Sequence, residues 1–177
     1  AYKAASEVID KGAYEIGGEN ELMGGMNSIN YGNVMWGAGI ETSEQSGAYA
    51  GFFTHMDNVD GAYAKSAPKL INKQLYNHIS SGDIRLGWWD PTDKESPYIS
   101  KKFAFSNVQS WLGDYIYMRV EEMYFTAAEA ALRLGNQDEA RDLMNKVMAK
   151  RNPKYNAYNY SGTHLGATTT TWTGSLL

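Results

Sequence analysis

Five large rings with polar edges, Tyr31, Trp36, Trp88, Trp89 and Tyr98, stand among Asn30, Asn33, Glu41, Asp90 and Lys94 in stretches broken by glycine. Flat aromatic faces suit the weakly positive C–H surface of a sugar ring, and planar polar groups suit its hydroxyls, so this mixture carries the chemistry of carbohydrate recognition. These five are the candidate ligand-binding residues, with Trp36 or the Trp88-Trp89 pair as the stacking surface. The competing reading is that the rings bury themselves beneath their own loops, as most large aromatics do.

Other chemistry is thinly represented. Glu41 with Glu44, or Asp57 with Asp60, could form the carboxylate pair of a glycosidase, but the separation that matters for that reaction is spatial. His55, His78 and His164 lie far apart and have no paired ligand spacing, which argues against zinc. Asp57-Asn-Val-Asp-Gly61 is similar to a calcium loop, except that Val59 stands where an oxygen ligand is needed, so a turn is expected. Gly37-Ala-Gly39 lacks both a third glycine and a preceding strand, and so makes no dinucleotide fingerprint. Gly82-Asp-Ile-Arg85 is expected to anchor its own loop. The chain contains no Cys, which removes disulfides, thiolate metal sites and thiol redox chemistry. No cofactor and no metal are called for.

These residues must be positioned by four zones. Residues 1 to about 11 form a helix with Ala4, Ala5, Val8 and Ile9 on one face, stopped by Gly12. Residues 13 to 112 are aromatic and Gly-broken, without a sustained period, and form a loop-rich ligand lobe. Within them the spacing predicts a helix over 65–80, beginning after Pro68 and carrying Leu70, Ile71 and Leu75. A short strand is expected from Tyr98 to Phe105 through Ile99 and Phe103. From Val120 to Leu134, Met123, Tyr124, Ala127 and Ala131 make one apolar helix face. Gly135 ends that helix, Asn136 caps the next with Glu139 in capping-box position, and Ala140, Leu143, Met144 and Val147 face inward until Pro153. This is the small-residue spacing of a tetratricopeptide unit, with the two helices meeting through Ala127, Ala131 and Ala140. Residues 154–177 are expected to be loop.

A chain of 177 residues suffices for one domain, burying roughly 70% of its unfolded surface. Its 16 Lys and Arg against 20 Asp and Glu leave a formal charge of -4, which supplies no cationic excess for nucleic acid. No run reaches the ~18 apolar residues of a membrane span. The first residues enter a helix without a cap, and Thr173-Gly-Ser-Leu-Leu177 begins one that does not close, so an internal fragment of a larger protein is expected.

The segment Asp114-Tyr-Ile-Tyr-Met-Arg-Val-Glu-Glu-Met-Tyr-Phe-Thr-Ala-Ala-Glu-Ala-Ala131 resembles the hallmark of the SusD/RagB family, an R-x-x-E helix ending in A-E-A. Arg119, Glu122, Ala128, Glu129 and Ala130 fill it, followed in family order by Gly135, Asn145 and Arg151. The opening Ala4-Ala-Ser-Glu-Val-Ile-Asp-Lys-Gly-Ala-Tyr-Glu-Ile16 is similar to the family's G-x-Y-x-L helix end, and Gly82 to Arg85 with Lys102-Phe103 fits the stretch before the hallmark. The resemblance implies a mainly α fold of tetratricopeptide-like helix pairs with a large irregular loop insertion. It further implies a non-catalytic outer-membrane lipoprotein of Bacteroidetes, tethered at the cell surface through a lipid absent from this chain. Such a protein binds an oligosaccharide or other nutrient and partners a TonB-dependent (SusC-like) transporter. Arg119, Glu122 and Glu129 would then hold helices against neighbouring units. Two other classes stay open, a tetratricopeptide adaptor for a peptide or protein partner and a glycoside hydrolase.

Overall fold

The computed structural model describes residues 1–44 and 51–159. Its helical side is a layer of three helices, α1 (Tyr2–Asp10), α6 (Val120–Arg133) and α7 (Gln137–Met148), with α6 packed against both others. Ala127, Ala131 and Ala140 are completely buried, as the spacing predicts, because a methyl group is the largest side chain that lets two helix backbones approach so closely. Ala5, Ala128, Leu143, Met144 and Ala157 complete this core, and Tyr2, Tyr124 and Phe125 seal its margin. Gly12 and Gly135 take the left-handed backbone, φ +61° and +88°, that ends α1 and α6.

Three local expectations are corrected. Asn136 precedes α7 but its side chain caps nothing, and Glu139 instead accepts a hydrogen bond from the Tyr2 hydroxyl, tying α7 to α1. The helix expected over 65–80 is two short ones, α4 (Ala62–Ser66) and α5 (Lys73–His78). Between them Ala67, preceding Pro68, leaves the helical region at φ -142°, as a pre-proline residue tends to. Leu70 bridges to Ile99, and Asn72 begins α5 anew by accepting from the Gln74 amide at 2.8 Å. The strand expected from Tyr98 to Phe105 shrinks to β3 (Ile99–Ser100), paired antiparallel with β2 (Trp89–Asp90). Beyond it, the amides of Ala104 and Phe105 are taken by the Gly25 carbonyl and the Asp57 carboxylate rather than by a neighbouring strand.

Ahead of the hallmark helix lies a strand that the sequence reading leaves unassigned. Tyr115–Arg119 is a strand, β4, antiparallel to β1 (Val34–Ala38), and the helix starts at Val120, as its spacing predicts. Tyr115, Tyr117 and Arg119 alternate with Ile116 and Met118 in the period-2 pattern of a strand. The pairing slips between Val34 and Gly37, and Gly37 passes so close to β4 that an added Cβ would lie 2.6 Å from the Tyr115 carbonyl oxygen.

The remaining helices are α2 (Glu19–Met23) and α3 (Phe52–Met56), and among the described residues no helix is long and apolar enough to cross a membrane. Phe53 and Phe105 make a second core with Phe52, Phe103 and Tyr115 through edge-on and tilted ring contacts. Gly113 lies over Phe53, where any Cβ would stand 2.6 Å from the ring. Asp57 is buried beside this core; its carboxylate accepts the amides of Val59, Asp60 and Phe105, so the Asp57-to-Gly61 segment is the turn its sequence suggests.

The two sides are joined by one buried ion pair. Arg151 donates to Glu121 at 2.7 Å, with the two side chains only 5% and 3% exposed. Glu121 also accepts from the Gly17 amide (3.1 Å) and from the Asn33 side chain (2.9 Å), while Arg151 donates to the Gly17 carbonyl. A Cβ on Gly17 would lie 2.6 Å from the Asn33 amide nitrogen, so the close approach requires glycine. The Asn33 carbonyl takes the Val120 amide, and the Arg151 carbonyl takes the Ile84 amide. Four separate segments therefore meet on one carboxylate and one guanidinium. Burial pushes Arg151 below its ordinary value, and the Glu121 carboxylate pushes it back up.

Removing one partner of such a pair leaves an uncompensated buried charge. Glu121→Ala is expected to lower unfolding free energy by about 3–5 kcal/mol, measured by urea denaturation. Ala131→Leu is expected to cost about 1–3 kcal/mol by overpacking the α6–α7 contact; a melting temperature equal to the parent's would contradict the close packing.

Candidate functional site

The best-formed concavity among the described residues is a cleft of about 380 Å³ between β4 and the Lys102-Phe103 segment. This lies within the ~300–1,000 Å³ typical of small-ligand sites. Phe52, Phe103, Tyr115 and Tyr117 supply its apolar and aromatic wall, and Lys102, Arg119, Asp114 and Glu122 its charges. Each is placed by an element already described. The period of β4 sends Tyr115, Tyr117 and Arg119 to one face. The Asp114 carboxylate accepts the amides of Ile29 (2.9 Å) and Ile40 (3.0 Å) and so fixes the loops on either side of β1.

Two of the five candidate rings adjoin this cleft. Trp36 is 62% exposed on β1 and meets Tyr117, 51% exposed, edge-on at 5.1 Å between ring centroids. Together they present a large, mostly exposed aromatic pair on the β1–β4 ribbon. Trp88 is half-buried at the end of the 3₁₀ turn Ile84–Trp88, its indole N–H donating to the Leu22 carbonyl at 2.7 Å. The Lys102 ammonium sits 4.9 Å from the Trp88 ring and 4.9 Å from the Phe103 ring. Burial pushes Lys102 below its ordinary value, and Arg119 and Arg85 push the same way.

The other three rings are elsewhere. Tyr31 is half-buried and donates to the Gly24 carbonyl and the Asn27 side chain, with burial and Glu21 raising its phenol. Tyr98 has φ +70° and packs edge-on to Tyr76. Trp89 lies half-buried on β2, beside Asp90, which the Lys101 ammonium and Thr92 hold far below the usual carboxylate range. None of the three lines the cleft.

Tyr117, Lys102, Phe103, Phe52 and Arg119 were not candidates from the sequence. The alternating Tyr115-Ile-Tyr117 ahead of Arg119 is the signal that could have marked the cleft wall. Among the described residues, none of Arg119, Glu122 and Glu129 pairs with a charged group on another helix. Arg119 reaches only the Met26 sulfur, Glu122 is exposed at the cleft, and Glu129 pairs with Arg133 along the surface of α6. The buried pair instead uses Glu121, the neighbouring residue, with Arg151.

One member of each candidate glycosidase pair is occupied locally. Glu44 accepts the Glu41 amide, and Asp57 is surrounded by backbone donors. Among the described residues no three His, Asp or Glu side chains form a group able to hold a metal; His164 lies outside them.

The sequence profile of the SusD family matches residues 52–166, well over half of the chain. The chain belongs to the SusD family. Its fold is similar to that of a SusD-like carbohydrate-binding protein from Bacteroides vulgatus, with a TM-score of 0.73 over 97% of the chain at 22% identity. A second Bacteroides vulgatus structure, a proposed sugar-binding protein, gives 0.68 over 96% at 20%. A SusD superfamily protein from Bacteroides thetaiotaomicron gives 0.59 over 86% at 17%. This SusD-family chain spans 37%, 38% and 37% of the lengths of those three structures. No curated protein sequence matches it. The mainly α SusD fold is thus established.

The turn that presents Trp88 depends on Asp83, whose carboxylate receives the Arg85 side chain at 2.9 and 2.6 Å and the Arg85 amide at 2.9 Å. This is the loop anchor expected for Gly82 to Arg85. Burial alone would raise the Asp83 carboxyl, but these Arg85 interactions leave it below its ordinary value of 3.8. A depressed carboxyl stabilises the fold fully above its unfolded value and loses that contribution as pH falls through the folded one. The stability gap between parent and Asp83→Asn, from urea titrations, is therefore expected to be largest near pH 7 and to narrow at about pH 3.

Proposed function

We propose that this chain is the ligand-presenting part of a non-catalytic glycan-binding protein at the bacterial outer surface. The whole protein would be a lipid-anchored outer-membrane protein that captures an oligosaccharide and hands it to a TonB-dependent (SusC-like) transporter. The observation that carries the binding role is the cleft beside β4, walled by Tyr117 and Phe103 and extended by the exposed Trp36. Rings on a short ribbon, anchored at its end by the buried Glu121–Arg151 pair, offer a preformed flat surface to a sugar face at little cost in ordering. Family membership and the carbohydrate-binding description of the similar Bacteroides vulgatus protein support the same ligand class.

The delivery step, the anchor and the surface location rest on the resemblance of the hallmark segment. So does the reading of α6 and α7 as a tetratricopeptide-like unit, which their buried alanines and glycine turn support. In this division the helix pair is used up in packing and recognition falls to residues 13–112 together with β4. Trp36 and Trp88 are the retained ligand contacts among the original five; Tyr31, Trp89 and Tyr98 have internal or separate placements. A binding role without hydrolysis is consistent with the engagement of Asp57 and Glu44 in local backbone caps.

The test is calorimetric titration against a panel of plant, algal and host oligosaccharides. A stacking ring contributes on the order of 1 kcal/mol, so Trp36→Ala or Trp88→Ala is expected to weaken binding roughly tenfold at an unchanged melting temperature for Trp36. Parent-like affinity in both variants would move the site away from the cleft, and reducing ends released above a denatured control would make the protein an enzyme.

A further inference from the structure

Every described arginine except one holds a carboxylate: Arg85 with Asp83, Arg133 with Glu129, Arg141 with Asp138 and Arg151 with Glu121. The exception is Arg119, in the cleft, whose one described polar contact is the Met26 sulfur at 3.6 Å. Beside it in the cleft stands Lys102, half-buried between two rings and with no carboxylate within ion-pair distance among the described residues. Two cations without counter-ions among the described residues therefore line the same concavity.

We propose that the cleft takes a sugar bearing an anionic substituent, a carboxylate or a sulfate ester, which Lys102 and Arg119 receive while the neighbouring rings hold the sugar face. This rests on the glycan-binding reading above. The carboxylates of the cleft do not fill the role. Asp114 is committed to the amides of Ile29 and Ile40, and Glu122 pairs with neither cation. The charges acting on Lys102 are those of Arg119 and Arg85, both positive, so its surroundings are unfavourable to its charge until an anion arrives. Cation–π contact with Trp88 and Phe103 holds the ammonium in place without using its hydrogen-bond donors. The planar guanidinium of Arg119 matches the two oxygens of a carboxylate or sulfate.

The probes are oligogalacturonate and its methyl ester, and a κ-carrageenan oligosaccharide and its desulfated form, titrated calorimetrically at low and moderate salt. At least one acidic probe is expected to bind roughly tenfold more tightly than its neutral counterpart, and the two acidic arms tell carboxylate from sulfate. Lys102→Met and Arg119→Met are each expected to lower affinity for that probe roughly tenfold, while Lys102→Arg retains it. Neutral probes bound as well as acidic ones would sink the charge inference and leave glycan binding standing. Binding that falls equally with Lys102→Arg and Lys102→Met would make Lys102 structural and overturn its assignment. If neither these probes nor any member of the wider panel bind, both readings fall.

Discussion

The contact between Glu121 and Arg151 is the constraint on which the arrangement of this chain depends. It is buried, and each charge is further satisfied by groups from other segments, the Gly17 backbone and the Asn33 side chain. Burial of two charges gains little net stability, but it is intolerant of misplacement, because any partner that moves leaves a charge in a poor medium. Its effect is to fix geometry. The start of α6, the end of α7, the Gly17 turn and the entry to β1 can meet in one way only.

The cleft inherits that geometry. Glu121 is two residues past Arg119, the last residue of β4, so anchoring the carboxylate also anchors the strand that carries Tyr115 and Tyr117. Asn33 immediately precedes β1, so the same anchor fixes Trp36 on the partner strand. On the far wall, Asp57 and Asn58 hold the chain between Ser100 and Phe105, and Asp83 holds the turn of Trp88. Short elements of five or six residues, which would be marginal alone, acquire definite positions from buried side-chain-to-backbone hydrogen bonds.

Much of the helical layer was legible because its cause is local. Ala127, Ala131 and Ala140 recur at helix spacing, and Gly12 and Gly135 mark the stops by a conformation other residues avoid. The lobe was less legible because its determinants are distant in sequence. Nothing near Glu121 distinguishes it from Glu122 as the buried carboxylate; the choice is made by Arg151, Gly17 and Asn33. Tyr115 to Arg119 alternates as a strand does, but its partner, Val34 to Ala38, lies some eighty residues away in sequence, so nothing local marks the pairing. Of the five candidate rings, composition could place them all in one lobe, but only register and loop closure separate Trp36 and Trp88, which adjoin the cleft, from Tyr31, Trp89 and Tyr98.

The span of the central contact has a consequence for assembly of the native state. Glu121 and Gly17 are 104 positions apart. For a flexible loop of that length, closure costs on the order of 4 kcal/mol in chain entropy beyond a constant. The α6–α7 hairpin, whose partners are near neighbours, incurs little of this and can form while the lobe is still open. Bringing Gly17 back onto Glu121 is therefore the entropically expensive closure in this chain, whereas the α6–α7 hairpin draws on near neighbours.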